Sequence, residues 1–392
     1  MHDSIGVAVI GAGMAGRSHA HGYRMAASVS PGPLPPVRLV AIADPNEAFA
    51  SEAARLYGYE RYVGSWQEVT DDASIDAVSI VVANDLHREI ATGLLAAGKH
   101  VLCEKPMANT IADAEAMAAA SAGSDTVAAL GYSYRRSPSV NAVREAIVNG
   151  TFGRLRQVDL HYWCDYGADP NAAMTWRYRG GPGTGALGDL GTHLVDMAEF
   201  LGGPITSVST GALVTFVERR PLPLTAARGH AHVEVGTETA PVENEDIASF
   251  SLMFASGAVG TLSISRVAYG HPNSLGFSVF GERAAASFDQ ARPAEFKFYD
   301  GAPPDVTQGF RQVLAGPLHP YLEHGLPMSH SGVGFGYSEL FAFQARAFLE
   351  QIARIDGGLP PCPSFRDGLH TVRLLDAVVR SAAAGGAVVE MT

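Results

Sequence analysis

Short apolar runs alternate with helical patterns through the first third of the chain. The runs cover residues 5–10, 37–43, 77–82, 100–103 and 126–130, and helical patterns separate them at residues 13–27, 47–57, 86–97 and 111–122. Predominantly apolar strands that alternate with helices are typical of a parallel sheet buried between two helical layers. The pattern therefore predicts an α/β domain with a doubly wound parallel sheet.

The pattern changes after residue 153. Longer runs follow one another without a helix between each pair, at residues 155–163, 205–217, 247–255, 258–266, 275–280, 284–288 and 295–299. Consecutive strands of this kind predict a C-terminal α+β domain with a large open mixed or antiparallel sheet. Helical patterns at 187–201, 337–355 and 365–384 are expected to cover that sheet or the domain junction. The predicted domains are residues 1–131 and 132–392.

Composition restricts the partners. A chain of 392 residues is longer than one ordinary core supports, and 47% hydrophobic with 17% charged residues is typical of a globular protein. The net charge of −12, without any run of Lys or Arg, argues against a nucleic-acid surface. No apolar run reaches the ~18 residues of a membrane span, and no signal peptide precedes the first strand. We expect neither a nucleic-acid nor a membrane partner.

The cysteines indicate the compartment. Cys103, Cys164 and Cys362 are widely spaced and odd in number, which favours a reducing environment over a disulfide framework. Cys103 is interpreted as a small buried hydrophobic residue rather than a nucleophile. We therefore expect a cytoplasmic protein.

Two insertions interrupt the pattern, at residues 28–36 and 220–245. The first contains four prolines and predicts a surface loop. In the second, His230, His232 and Glu234 alternate, so they would share one face of a strand and suggest a metal site. Because no fourth ligand is nearby, an exposed polar strand is favoured, and we assign no metal.

A glycine fingerprint follows the first strand. Gly11, Gly13 and Gly16, with Met14 and Ala15 between the last two, form G-x-G-x-x-G at the start of a helical pattern. Glycines suit these positions because the turn is tight, the backbone must approach a pyrophosphate, and the helix must pack closely on its strand. An ordinary tight turn is the alternative. The fingerprint predicts a Rossmann domain with a dinucleotide cofactor.

Asp44 ends the second predicted strand. An acidic residue there accepts hydrogen bonds from the adenosine ribose hydroxyls and repels a 2′-phosphate, so NAD is favoured over NADP. The alternative is that Asp44 only caps the helix that begins near Asn46.

Two further motifs follow in order. Glu104-Lys105-Pro106 comes directly after a strand, and Asp189 and His193 lie four residues apart in D-x-G-x-H, a helical spacing that turns both side chains the same way. The ordered set of fingerprint, E-K-P and D-x-G-x-H resembles the Gfo/Idh/MocA family of nicotinamide-dependent sugar and polyol oxidoreductases. The resemblance covers almost the whole chain.

The resemblance implies roles for the first domain. Glu104 is expected to contact the cofactor ribose, and Lys105 to be a catalytic residue that also touches the cofactor and is bonded to a substrate oxygen. Asn84 and His87 match the family's Pro-Asn-x-x-His stretch, whose asparagine and histidine lie along the cofactor. Ala83 replaces the usual proline, which puts the rigidity of that loop in doubt. For His87, a structural role at a helix start is the alternative.

Asp189 and His193 supply what alcohol oxidation requires. As a hydride leaves carbon, the hydroxyl proton must pass to a base, and imidazole titrates near neutral pH. Asp189 is expected to bind substrate or to orient that base. If His193 is instead a core histidine, Lys105 is the alternative base.

Four weaker candidates for substrate binding are Arg135, Asp165, Trp176 and Arg177. Aromatic rings beside polar groups suit a sugar, although Trp176 is equally compatible with a core position. These stretches resemble levoglucosan dehydrogenases within the family more than the shorter inositol dehydrogenases.

These observations predict an NAD-dependent dehydrogenase. It is expected to oxidise a secondary hydroxyl of a sugar, anhydrosugar or cyclitol to a ketone, reversibly, and to form a homodimer or homotetramer. Two alternatives stay open: an NAD-dependent glycosidase that oxidises its substrate transiently, and a non-catalytic NAD-binding regulator.

Overall fold

The chain forms two compact units. The computed structural model describes residues 4–30, 32–225, 233–301, 306–323 and 328–391. The first unit combines Met1–Pro138 with Ala315–Val372, and the second combines Ser139–Leu314 with Arg373–Thr392. The predicted domains, 1–131 and 132–392, place residues 315–372 differently, because that segment packs with the N-terminal residues.

The first unit contains a parallel sheet of six strands. The strands are β1 (Ile5–Ile10), β2 (Val37–Ala43), β3 (Arg61–Val63), β4 (Ala77–Ile80), β5 (His100–Cys103) and β6 (Ala128–Leu130). Their order is β3-β2-β1-β4-β5-β6. The predicted doubly wound parallel sheet is confirmed. Strand β3 was not predicted, since it has only three residues and none of them is fully buried.

Helices connect these strands. They are α1 (Met14–Ala26), α2 (Glu47–Tyr57), α3 (Trp66–Asp71), α4 (His87–Ala96) and α5 (Ile111–Ala122). Three have a side-chain N-cap, from Asn46, Ser65 and Thr110, each accepting a hydrogen bond from a backbone N–H of the first turn. Helix α1 begins at Met14, and its N-cap residue Gly13 has no side chain to cap it, so its first N–H groups are left for another partner.

The second unit contains a nine-stranded mixed sheet. Two helices precede or interrupt its strands, α6 (Pro138–Val148) and α7 (Thr192–Gly202). The first eight strands of the large sheet are β7 (Leu155–Trp163), β8 (Ile205–Val214), β11 (Ile247–Phe254), β12 (Val259–Ser265), β13 (Ser274–Gly281), β14 (Ala285–Asp289), β15 (Glu295–Tyr299) and β16 (Arg311–Leu314). Strands β9 (Arg219–Pro223) and β10 (Val235–Pro241) form a separate two-stranded ribbon. Three helices follow along the chain, α8 (Pro320–Glu323), α9 (Tyr337–Ala353) and α10 (Phe365–Ala383). The last strand of the large sheet is β17 (Val389–Glu390).

The strand order of the large sheet is β16-β15-β14-β13-β7-β12-β11-β8-β17. Strands β7 and β12 pair in parallel, and the other pairs are antiparallel. The predicted mixed sheet is confirmed. Helix α6 was not predicted, although Pro138 at its first position is a recognised helix-start signal.

Helix α9 packs against α1 within the first unit. A Cβ on Gly22 would lie 2.7 Å from the Phe341 backbone oxygen, so only glycine allows the two helices to approach this closely. The Leu130 N–H also donates to the Pro363 oxygen at 2.8 Å. These contacts explain why residues 315–372 belong to the N-terminal unit.

The loop at residues 28–36 is fastened by Arg346 of α9. This fully buried side chain donates to the backbone oxygens of Ser30 (3.1 Å) and Gly32 (3.0 Å) and pairs with Glu350 at 2.5 Å. The guanidinium of Arg346 thus ties the insertion to the core, and the Ile5 N–H of β1 donates to the Pro36 oxygen at 2.8 Å. Among the helices of the described segments, none is both long enough and apolar enough to span a bilayer.

His319, just before α8, predicts acid sensitivity. Burial lowers the pKa of its imidazole from 6.5 to about 4, and its Nδ1 accepts from the Tyr321 N–H at 3.2 Å. Between these pKa values the unfolded chain binds a proton that the folded chain does not. The free energy of unfolding should therefore fall as pH drops from 6.5 towards 4.

Denaturant unfolding across that range tests the His319 prediction. His319→Gln should lose less stability on acidification than the unmodified chain, and His330→Gln, at an exposed position, should behave like the unmodified chain. Identical pH slopes for all three proteins would contradict it.

Candidate active site

The carboxyl ends of the first unit's strands bring the cofactor candidates together. The strand order reverses direction between β1 and β4, which is where open α/β sheets bind ligands. The Val81 N–H donates to the Ile10 oxygen and the Glu104 N–H to the Ile80 oxygen, so the three strand ends lie side by side. Gly11, the loop after β4 and the E-K-P motif therefore share one edge.

Each fingerprint glycine has its own structural reason. Gly11 has φ +103°, and a Cβ there would lie 2.0 Å from the Val81 oxygen. A Cβ on Gly16 would lie 1.9 Å from the Gly11 oxygen, so a side chain would separate the helix from its loop. Gly13 is different: its Cβ would meet nothing within 4 Å, and Gly13 and Met14 are exposed while Ala15 is half-buried. This open, uncapped helix start fits a bound pyrophosphate.

Asp44 braces the glycine loop. Its Oδ2 accepts from the Ala12 N–H and its Oδ1 from the Asn46 N–H, both at 2.8 Å. The cap of α2 is Asn46, whose side chain accepts from Phe49, so Asp44 is not the cap. A carboxylate has about four acceptor positions, which leaves capacity for ribose hydroxyls.

Glu104 is held from two sides. Its Oε1 lies 2.9 Å from His19 Nε2, and its Oε2 accepts from the Lys105 N–H at 3.2 Å. Lys105 is half-buried, and the Lys105–Pro106 peptide bond is cis. The motif thus presents a fixed carboxylate beside a lysine at the sheet edge.

Asn84 and His87 lie in the loop and first turn after β4. Asn84 is half-buried and donates to Asn109 Oδ1 at 3.3 Å. His87 is fully buried, with Nδ1 3.1 Å from the Pro106 oxygen and Nε2 3.3 Å from the Val82 oxygen. Burial lowers the pKa of His87. Its position favours the structural role, joining the two loops, and contact with the cofactor stays a prediction.

Asp189 and His193 lie on consecutive helical segments of the second unit. Residues Leu187–Gly191 form a turn of π-helix, in which the Thr192 N–H reaches the Leu187 oxygen, and His193 is the second residue of α7. The sequence predicted one regular helix here. Single π turns occur frequently at functional sites.

Tyr166 orients Asp189. The Tyr166 hydroxyl donates to Asp189 Oδ2 at 2.9 Å. Burial, and then the nearby Asp189 carboxylate, raise the pKa of Tyr166, so the phenol keeps its proton and remains a donor. His193 is buried, and its ring lies 6.0 Å from that of Tyr162. The sequence did not predict the role of Tyr166, because its partner Asp189 lies 23 residues away and leaves no local pattern.

The π turn is anchored by Glu245. Its carboxylate accepts from the Gly183 N–H at 2.8 Å and the Leu187 N–H at 2.9 Å, and its backbone oxygen accepts from Ala186 at 2.9 Å. A Cβ on Gly185 would lie 2.3 Å from that oxygen. Burial raises the pKa of Glu245. The first glycine of the G-A-L-G-D motif therefore permits the contact that places Asp189.

The other substrate candidates lie in two places. Asp165 is half-buried in the loop after β7, whereas Arg135 is half-buried in a 3-10 turn of the first unit. Trp176 is 49% exposed, and the Arg177 guanidinium stacks 4.4 Å from its ring centroid. Trp176 is therefore a surface residue rather than a core residue.

Arg266 holds the Trp176–Arg177 segment in place. It pairs with Asp246 at 2.8 Å, and both side chains are buried. It also donates to the Arg177 oxygen at 3.0 Å and to Asn244 Oδ1 at 2.9 Å. The loop that carries the aromatic candidate is thus held by Arg266, the residue that follows β12, and by the turn before β11.

The three cysteines are free and buried. Burial raises the pKa of the Cys103 thiol, so its interpretation as a buried hydrophobic residue is confirmed. Within the described residues, no group of three or more His, Cys, Asp or Glu side chains is placed to hold a metal ion. His230 and His232 lie outside the described residues.

Comparison with known proteins decides the family. The model described as "Oxidoreductase family, NAD-binding Rossmann fold" matches residues 5–132, and the GFO/IDH/MocA C-terminal domain matches residues 140–287. Levoglucosan dehydrogenase of Pseudarthrobacter phenanthrenivorans is 36% identical over 383 residues, which are 97% of this chain and 96% of that enzyme. The chain belongs to the Gfo/Idh/MocA family.

Other relatives agree. Inositol 2-dehydrogenase of Rhizobium meliloti is 31% identical over 96% of both chains. The structure of a levoglucosan dehydrogenase in complex with NADH and L-sorbose superposes with a TM-score of 0.89, at 34% identity over 99% of both chains. As a Gfo/Idh/MocA member, the chain is an NAD-binding oxidoreductase that acts on CH–OH groups.

Proposed function

We propose that this oxidoreductase oxidises a secondary hydroxyl of a pyranose, anhydrosugar or cyclitol to a ketone, reversibly and with NAD. The observation that carries the proposal is the Tyr166–Asp189 hydrogen bond on the helical segment that also presents His193. A carboxylate held by a half-buried phenol is a rigid acceptor for substrate hydroxyls. A family relative is named for levoglucosan and another for inositol, both of which carry secondary hydroxyls.

The proposed cofactor contacts come from the first unit. The backbone at Gly11, Gly13 and Gly16, with Met14 and Ala15, binds the pyrophosphate at the start of α1. Asp44 and Glu104 accept hydrogen bonds from the two riboses. Asn84 contributes an amide beside the nicotinamide end of the cofactor. His87 holds the loop after β4 in place through its contacts with the Val82 and Pro106 oxygens.

The proposed chemistry separates a hydride from a proton. When bound, NAD supplies the hydride acceptor. His193 takes the hydroxyl proton as general base. Lys105 donates a hydrogen bond to a substrate oxygen, and Asp189 binds a neighbouring hydroxyl or orients the base. Arg135, Asp165, Trp176 and Arg177 are assigned to substrate recognition.

A screen of sugars, anhydrosugars and cyclitols with NAD tests the function. We expect NADH to accumulate with at least one secondary alcohol, and Asp189→Asn to weaken that activity. A glycosidase would consume a glycoside without net NADH, because it returns its hydride. No turnover with any substrate of the panel would favour a non-catalytic regulator.

Cofactor choice gives a separate prediction. NAD should bind more tightly than NADP, because a 2′-phosphate would meet the Asp44 carboxylate. Equilibrium titration gives both dissociation constants. Asp44→Asn should reduce the preference for NAD, bringing the two dissociation constants closer together. Asp125→Asn, at an exposed position, should leave that preference unchanged. Equal affinities in the unmodified chain would overturn the role of Asp44.

We further propose that the chain forms a homodimer or homotetramer through one face of the large sheet. The exposed side chains of β11 and β12 on that face are small or apolar: Ser249, Ser251, Met253, Val259 and Thr261. Small side chains allow two sheet faces to approach closely.

Sedimentation at micromolar concentration tests the assembly. The unmodified chain should be larger than a monomer, and Ser251→Arg should shift it towards monomer by placing a charge on the face. Gln67→Arg, at an exposed position of α3, is the control and should leave the assembly unchanged. A monomeric unmodified chain would remove the proposal.

A further inference from the structure

A chain of hydrogen bonds leads from the core to Glu104. His19, on α1, lies 2.9 Å from Glu104 Oε1 through Nε2 and 3.0 Å from Ser79 Oγ through Nδ1. The Tyr23 hydroxyl lies 2.8 Å from the same Ser79 Oγ. His19, Ser79 and Tyr23 are all buried. None of the three belongs to the motifs that identified the cofactor site.

The proton positions in this chain follow from the acceptor at its end. An ionised carboxylate only accepts hydrogen bonds, so His19 Nε2 carries the hydrogen that points at Glu104. In neutral His19, Nδ1 then accepts from the Ser79 hydroxyl, and Ser79 accepts from Tyr23. In protonated His19, Nδ1 donates to Ser79 instead. The bond to Glu104 keeps the same direction in both states.

The Tyr23 end of this series of hydrogen bonds has no access to solvent. Burial raises the pKa of Tyr23, so its phenol stays protonated at any working pH. Tyr23 and Ser79 are almost entirely inaccessible, at 1% and 0% exposure. A relay that ends in the core cannot deliver a proton to solvent. Its role is therefore to hold a group in place rather than to conduct protons.

Neighbouring groups hold the Glu104 carboxylate and the His19 ring. A Cβ on Gly131 would lie 2.6 Å from Glu104 Oε1, so glycine there leaves the space that the carboxylate uses. The Lys105 N–H holds the second oxygen. Phe341 of α9 packs edge-on against the His19 ring, with centroids 5.3 Å apart, and keeps the imidazole from turning.

We propose that His19, braced by Ser79 and Tyr23, is a positioning residue that holds Glu104 to bind the nicotinamide-side ribose. The inference rests on the proposed cofactor role of Glu104. A charge-assisted hydrogen bond is stronger than a neutral one, and pre-organising the acceptor removes a cost of binding. Losing the brace should weaken cofactor binding at the nicotinamide side and spare the adenosine side.

Binding of NAD and of ADP separates the two sides, because ADP has no nicotinamide ribose. His19→Phe keeps an aromatic ring but removes both nitrogens. It should weaken NAD binding roughly tenfold, the scale of one hydrogen bond to a charged group, and change ADP binding less than about twofold. His19→Gln retains a donor at the position of Nε2 and should recover most of the NAD affinity.

Two further variants supply a control and a substitute in case His19→Phe does not fold. His21→Phe makes the same substitution two residues along α1, away from Glu104, and should leave both affinities unchanged. If His19→Phe does not fold, Tyr23→Phe removes only one hydroxyl and should raise the NAD dissociation constant about two- to threefold. Steady-state kinetics should show the same effect in the KM for NAD more than in kcat.

The outcomes are distinct. Equal weakening of NAD and ADP by His19→Phe, or no weakening of either, would overturn the inference while leaving the proposed function intact. Glu104→Gln is measured alongside. If that variant keeps full NAD affinity, the cofactor role of Glu104 fails and the inference fails with it.

Discussion

His193→Ala and Lys105→Ala should each lower turnover by roughly 10²–10⁴-fold, the usual contribution of a positioned proton-transfer group. NAD binding should survive in His193→Ala, because His193 lies in the second unit and the glycine loop with Asp44 lies in the first. Steady-state kinetics on the best substrate of the screen, with NAD titration in parallel, measures both quantities.

Matched variants distinguish a base from a residue that binds or orients the substrate. Asp189→Asn should do less damage than His193→Ala, with part of its effect in KM, since Asp189 binds or orients rather than accepts the proton. His271→Ala, an exposed histidine of the second unit, should be close to unchanged. Near-native turnover in His193→Ala would show that the imidazole is structural and would leave Lys105 as the base.

Asp246→Ala should reduce the free energy of unfolding by about 3–5 kcal/mol, the cost of leaving a buried charge without its partner. The Asp246–Arg266 pair is almost fully buried, at 0% and 1% side-chain exposure. Asp246 Oδ2 also accepts from the Phe216 N–H (2.7 Å) and the Val217 N–H (2.9 Å), and both would lose that acceptor.

Denaturant unfolding compares this variant with an exposed pair. Asp376→Ala removes the partner of Arg380 on the surface of α10 and should cost no more than about 0.5 kcal/mol. Since Arg266 also holds the Arg177 oxygen, Asp246→Ala should raise the substrate KM in whatever fraction stays folded. A loss no larger than that of Asp376→Ala would contradict the assignment.

Most strands were predictable because their signal is local. Strands β1, β2, β5, β7 and β15 begin and end where the apolar runs predicted. Strands β9, β16 and β17 were not predicted. Two other differences have physical reasons: β3 is a short edge strand, and the helix predicted at residues 187–201 begins with a π turn that no periodicity reveals.

The amino-acid sequence by itself determined the family, the cofactor class and the fold. Tight turns at Gly11 and Gly16 and acids at strand ends leave a signature in consecutive residues, because their function depends on local backbone geometry. The tertiary structure alone decided which side chains hold the reactive ones. His19 meets Glu104, Tyr166 meets Asp189 and Glu245 anchors the π turn only because packing brings distant segments together, and no local pattern records such pairings.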